Sequence, residues 1–168
     1  MNLVVSDASP IRYLVAIGAV QILPELFSKV IIPEHVIAQE LQGRQTPAKV
    51  KEWASRPPLW VEVRKPAKPE SLSLDAGEED AIALAMEFGA PILLDEREAR
   101  GVAKRKGLLV IGTIGLLEVA ASRNLLNLAD ALQALQKTNI RVHPSLIQDA
   151  LKRKIGEQPI PPRDGYIE

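Results

Sequence analysis

Leu3-Val4-Val5-Ser6-Asp7-Ala8-Ser9-Pro10-Ile11 is the stretch that decides the fold. Its opening apolar run is β-branched, too short for a helix and apolar throughout, which suits a strand buried on both faces of a parallel sheet. Ser9 followed by Pro10 reads as the first turn of a helix, where the fixed φ and missing N–H of proline are tolerated. Similar short runs recur at Val30-Ile31-Ile32, Ile92-Leu93-Leu94 and Leu108-Leu109-Val110-Ile111. Trp60-Val61-Glu62-Val63, just after Pro57 and Pro58, reads as an edge strand. Helical spacing fills the intervals near 10–17, 20–28, 33–43, 47–55, 76–89, 96–106 and 112–124, with two more helices near 128–138 and 144–154. Pro33 ahead of Val36 and Ile37 looks like another helix start, and Asp75-Ala76-Gly77-Glu78 like a capping box. Strands alternating with helices predict an α/β fold around a central, mainly parallel sheet of four to five strands.

The 168 residues fit a single domain over 1–155 with an extended, proline-bearing tail over 156–168. A Pro-, Ser- and Lys-rich stretch at 65–73 reads as a flexible interruption within that domain. A hydrophobic fraction of 46% supports a packed core and argues against a disordered chain. Twenty-one basic residues balance twenty-one acidic ones, which excludes a dominant electrostatic grip on nucleic acid but not a local basic patch. Without cysteine, the chain has no disulfides, thiolate-bound zinc, iron–sulfur cluster or thiol nucleophile. Neither a signal peptide nor an apolar run of about 18 residues is visible, so the expected setting is cytoplasmic, away from membranes.

Chemistry is concentrated in acids at unusual places. Asp7 directly follows one core strand and Asp95 another, and ligands of open α/β sheets bind at that carboxyl edge. If the two strands are neighbours, both aspartates face one crevice; a lone aspartate there would more often be a helix cap. Glu40 lies on the apolar stripe Val36, Ile37, Leu41, where an ionised carboxylate needs a cation or a metal. An arginine or lysine partner would serve equally well. Asp80 opens the apolar run Asp80-Ala81-Ile82-Ala83-Leu84-Ala85-Met86, in a first turn whose helix dipole favours an anion. Helical rotation keeps Glu78, Glu79 and Asp80 from facing one site together. Glu78 has a role as the capping acid and Glu79 as a solvated residue, so Asp80 is preferred for the crevice. Four converging carboxylates repel one another unless a cation holds them, and the hard ions Mg²⁺ or Mn²⁺ are the natural choice. One or two such ions would suit phosphodiester hydrolysis.

At these residues the sequence resembles the PIN-domain superfamily, closest to a VapC-like toxin branch. The resemblance rests on Val4-Val5-Ser6-Asp7-Ala8-Ser9-Pro10, Ile32-Pro33 through Glu40-Leu41, Leu74-Asp75-Ala76-Gly77-Glu78-Glu79-Asp80, Leu94-Asp95 through Arg100, and Val110-Ile111-Gly112-Thr113-Ile114-Gly115. Each motif is weak alone, but the five fall in family order over residues 3–125. The resemblance implies a three-layer α/β/α fold and a ribonuclease that activates water with Mg²⁺ or Mn²⁺. It assigns Asp7, Glu40, Asp80 and Asp95 as the catalytic, metal-binding acids, with Glu78 and Glu79 competing with Asp80 for the third place and Glu96 with Asp95 for the fourth, and with Ser9, Glu78, Glu96 and Thr113 as additional site residues. It further implies an RNA substrate, a homodimer and an antitoxin protein partner, for which the apolar helices at Val20–Phe27 and Pro33–Leu41 are candidate surfaces.

Arg97 and Arg100, on the helix after Asp95, are the basic residues best placed to bind RNA; Lys104, Arg105 and Lys106 fit a solvated face. Lys152-Arg153-Lys154 reads as solvated or as a partner surface. The two histidines are too scattered for a zinc site. Gly112-Thr113-Ile114-Gly115 lacks the rest of a nucleotide-binding fingerprint and suits close strand-to-helix packing. Two other functions compete: a non-catalytic module of the same fold that binds nucleic acid or protein, and a phosphohydrolase. The second wants Asp-x-Asp after the first strand, where this chain has Ser9.

Overall fold

The computed structural model describes residues 2–138 and 144–156. Its centre is a five-stranded, all-parallel sheet in the order β3-β2-β1-β4-β5: β1 (Leu3–Ser6), β2 (Lys29–Pro33), β3 (Val61–Arg64), β4 (Ile92–Leu93) and β5 (Val110–Ile111). Apolar runs become strands here because both faces are covered. Val4, Val30, Ile32, Leu93 and Ile111 point into one core, while Val5, Ile31, Ile92, Leu94 and Val110 point into the other. Alternate residues of one strand thus serve opposite layers.

The first layer holds α1 (Ala8–Ala16), α2 (Ile22–Leu26), α3 (Ala48–Ser55), α6 (Thr113–Ser122), α7 (Leu128–Gln136) and α8 (Pro144–Gly156). The second holds α4 (Ala76–Phe88) and α5 (Arg97–Arg105). The result is the three-layer α/β/α arrangement, with β3 at the edge. α4 stops at Gly89, whose φ of +60° favours glycine. The paired parts of β4 and β5 are shorter than their apolar runs, although Leu94 N–H still reaches Ile111 O at 3.0 Å. The tail from 157 onward lies outside the described residues. Among those described, no helix is long and apolar enough to cross a membrane.

Four local expectations are corrected. Pro33 starts no helix: it ends β2 and pairs with Arg64. After it the chain turns helical and closes a π-helical turn over Val36–Glu40, with Leu41 N–H bonded to Val36 O at 2.9 Å. The 65–73 stretch is tied to α4, because Glu79 accepts the N–H groups of Leu72 and Leu74, and Glu87 that of Ala67. Arg153 is not simply solvated: it forms a bidentate pair with Glu118 of α6, at 2.8 and 2.6 Å. Finally, the helices around Val20–Phe27 and Pro33–Leu41, named as candidate partner surfaces, turn most of their apolar residues inward: Ile22, Leu23, Leu26, Val36, Ile37 and Leu41 are buried in the core, with Val20 and Phe27 half-buried against it.

Candidate active site

The strand order reverses direction between β1 and β4, because β2 and β3 lie to one side of β1 and β4 and β5 to the other. Such a switch point opens a crevice at the carboxyl edge of the sheet. Asp7 and Asp95 follow these two adjacent strands, and Asp7 N–H continues the ladder to Leu93 O at 3.1 Å. The neighbouring strands required to bring the two aspartates to one crevice are therefore present.

Asp7 occupies the N-cap position of α1 but makes no capping hydrogen bond. Its residue is 5% exposed, and its Oδ1 is buried with no hydrogen-bond partner. Burial pushes its carboxyl up to about 7, the Ala8 amide opposes this in part, and the charges of Glu40, Glu78 and Asp95 push it further up. Those three acids are the ones whose fields converge on Asp7.

Glu40 comes from the π-helical turn, a feature often found where a helix is bent to present a functional residue. Its Oε2 is also buried without a partner. Arg12 donates to its backbone carbonyl at 3.3 Å. Burial raises the Glu40 carboxyl, and His35 and Arg12 lower it in part.

Glu78 sits in the first turn of α4 and is 7% exposed. Its Oε1 accepts the Asp75 N–H at 3.2 Å, as the capping-box reading requires. Desolvation pushes its carboxyl up to about 6, against the Asp75 bond, and Asp75, Glu96 and Glu40 add to the rise. It therefore caps its helix and borders the acid cluster at once.

Asp80, preferred from the sequence, is not among the charges that bear on Asp7, although its charge does help to raise the Glu40 carboxyl. It lines a shallow groove with Glu34, His35, Gln39 and Lys65, and its carboxyl is raised by burial while His35 opposes. The reason is rotational: two residues apart on a helix point about 200° apart, so only one of Glu78 and Asp80 can face Asp7. The sequence does carry the signal, since Glu78, Ala81, Ile82 and Ala85 form a buried stripe at i, i+3, i+4, i+7. Glu79 is committed to the Leu72 and Leu74 amides, which lower its carboxyl.

Asp95 is held by Thr113, whose N–H donates to Oδ1 at 2.7 Å and whose hydroxyl donates to Oδ2 at 2.6 Å. This bond pair ties β4 to the start of α6, and Thr113 is buried. Burial raises the Asp95 carboxyl, against Thr113 and then Arg100. The Arg100 guanidinium lies against Gly112 and the Asp95 carboxylate, whereas Arg97 is exposed. Glu96 caps α5 by accepting Ala99 N–H at 2.8 Å. Ser9 stands half-buried in the first turn of α1.

The family model DUF3368, described as a PIN domain, matches residues 3–157. The chain belongs to this PIN-domain family. A solved PilT N-terminus domain protein from the hyperthermophilic archaeon Sulfolobus solfataricus P2 is similar at 14% identity and a TM-score of 0.45, over 85% of this chain and 100% of its own. No curated protein matches the sequence. PIN domains have a nuclease-type fold, and the family is generally one of nucleases.

Does the crevice of this PIN domain suit a divalent ion? Among the described residues, no three His, Asp or Glu side chains form a ready-made metal-binding group. The donor set is nevertheless all oxygen, and it includes two buried carboxylate oxygens without partners. Mg²⁺ and Mn²⁺ take oxygen ligands, and Mg²⁺ commonly needs only one or two carboxylates because it keeps several waters. Asp7 and Glu40 therefore fit such an ion, with Glu78 and Asp95 adding negative field behind them.

Proposed function

We propose that this PIN domain is a Mg²⁺- or Mn²⁺-dependent ribonuclease that cleaves phosphodiesters with an activated water. The observation that carries the proposal is the pair of buried, unpartnered oxygens: Asp7 Oδ1, at the switch point of the sheet, and Glu40 Oε2, on an acid whose charge bears on Asp7. Burying carboxylates without partners costs stability, and a family of nucleases supplies the reason to tolerate it. Bound there, the ion would supply Lewis-acid chemistry: it lowers the pKa of water and neutralises charge on the phosphate.

In this reading Asp7 and Glu40 hold the ion. Glu78 and Asp95 strengthen the negative field, and Thr113 fixes the Asp95 carboxylate through two hydrogen bonds. Arg100 is the basic side chain beside the acids, and Arg97 is the exposed one on the same helix. RNA as the substrate, a role as the toxin of a VapBC-type pair with an antitoxin partner, a homodimeric state and a cytoplasmic setting rest on the VapC-like motifs.

The test is incubation of purified protein with a mixed-sequence single-stranded RNA, in Mg²⁺, in Mn²⁺ and in EDTA. Cleavage in either metal, absent in EDTA and in Asp7→Asn, is expected. RNA retained but uncut by wild-type protein would favour a non-catalytic binding module. Cleavage that persists in EDTA would overturn the metal-dependent reading.

A further inference from the structure

Glu40 reaches the crevice because α4 carries no side chain where its carboxylate lies. Gly77 is in the first turn of α4, with a helical backbone and no positive φ, so conformational freedom is not what the position requires. Glycine in a helix is disfavoured relative to alanine. Space is the requirement instead. A Cβ at Gly77 would overlap Glu40 Oε2 outright, and would lie 2.8 Å from Glu40 Cδ and 3.1 Å from Val36 Cγ2.

Two further features hold Glu40 in this notch. The Leu41 N–H bond to Val36 O closes a wider turn than an α-helix, so Val36 and Leu41 are both buried although five residues apart. Val36 and the Glu40 carboxylate then both press toward the same point on α4. The backbone of Glu40 is pinned as well: its carbonyl accepts Arg12 Nη2 and Thr46 Oγ1, each at 3.3 Å. With its backbone held and its tip against a bare Cα, the Glu40 carboxylate itself would have to give way to a methyl group at Gly77.

We propose that Gly77 is a positioning residue: it is the seat against which Glu40 Oε2 packs, and so it holds the Glu40 carboxylate in the crevice. The steric part of this inference stands on the geometry alone. The part concerning an ion rests on the metal-site reading above.

The experiment is a mutant cycle of wild type, Gly77→Ala, Glu40→Ala and the double variant, followed by melting temperature and by calorimetric titration of Mn²⁺. Gly77→Ala is expected to lower the melting temperature by several degrees, and to lower it much less in the Glu40→Ala background, where only the 3.1 Å approach to Val36 Cγ2 remains. It is also expected to weaken Mn²⁺ binding at least tenfold. Should Gly77→Ala fail to fold, recovery of the fold in the double variant supports the same seat. An equal thermal loss in both backgrounds would overturn the inference, because the added methyl would then clash with something other than Glu40. Wild-type Mn²⁺ affinity in Gly77→Ala would overturn the positioning role. If wild-type protein binds no Mn²⁺, the metal-site reading fails, and the thermal cycle alone still decides the seat.

Discussion

Glu118 and Asp7 are both buried acids, yet the molecule treats them in opposite ways. Glu118, on α6, gives each of its oxygens to a nitrogen of Arg153, at 2.6 and 2.8 Å. That pair docks α8, whose Ile147 and Ala150 join the core. Asp7, at the end of β1, has an oxygen with no partner and three acids bearing on it. A chain able to satisfy a buried carboxylate so fully in one layer has left another unsatisfied at the crevice of its sheet. The difference separates an acid kept for architecture from acids kept open for a ligand.

The largest expected effect comes from removing the open acid. Asp7→Asn should reduce metal-dependent RNA cleavage by more than about 100-fold, since even residues behind a metal ligand are worth 10–100-fold. It should also raise the melting temperature, because an amide carries no charge to desolvate. A lower melting temperature, measured by calorimetry, would mean that Asp7 is a structural acid like Glu118.

The next effect is on stability against pH. The Asp7 carboxyl stands near 7 in the folded state against 3.8 ordinarily. Between those values the folded protein holds a proton that the unfolded chain releases, so stability falls as pH rises from about 4 to about 7. Asp7 alone accounts for a loss on the order of 4 kcal/mol, and Glu78, raised to about 6, acts in the same direction. Urea denaturation across this range should show the decline in wild type and a shallower one in Asp7→Asn. Without metal, equal slopes would contradict the burial of that charge.

A smaller effect is expected at the satisfied acid. Arg153→Ala leaves Glu118 without its partner and should cost about 2 kcal/mol, or a fall of about 6 °C in melting temperature. Mn²⁺ affinity should not change. A change there would show that the two regions are coupled rather than separate. The smallest effect belongs to Glu79→Gln, which should leave cleavage near wild type while amide exchange quickens at Leu72 and Leu74. A loss of cleavage equal to that in Asp7→Asn would instead place Glu79 among the working acids.

The fold was largely legible because its signals are local. A β-branched run such as Val30-Ile31-Ile32 is buried on both faces, and nearly every helix begins within two residues of its expected start. What the sequence hid depended on contacts far along the chain. Pro33 looks like a helix start because proline suits that position, but pairing with Arg64 keeps it in β2. The π-helical turn after it leaves no mark in a pattern read at 3.6 residues per turn. Arg153 meets Glu118 across 35 residues, with no local spacing to reveal it. Asp7 and Asp95 stood out by following apolar strands, and the strand order then made them neighbours. Glu78 and Asp80 differ by only two positions, and the choice between them is a matter of helix rotation. The apolar stripe through Glu78 marks it as the acid turned toward Asp7, while the nearly continuous apolar run beginning at Asp80 favours its neighbour.

Calorimetric titration of Mn²⁺ into wild-type protein and into Asp7→Asn, side by side, tests whether the open acids exist to hold a metal, with no assumption about substrate. Saturable binding in wild type that disappears in Asp7→Asn is the predicted result. No binding in wild type, or equal binding in both proteins, would contradict it.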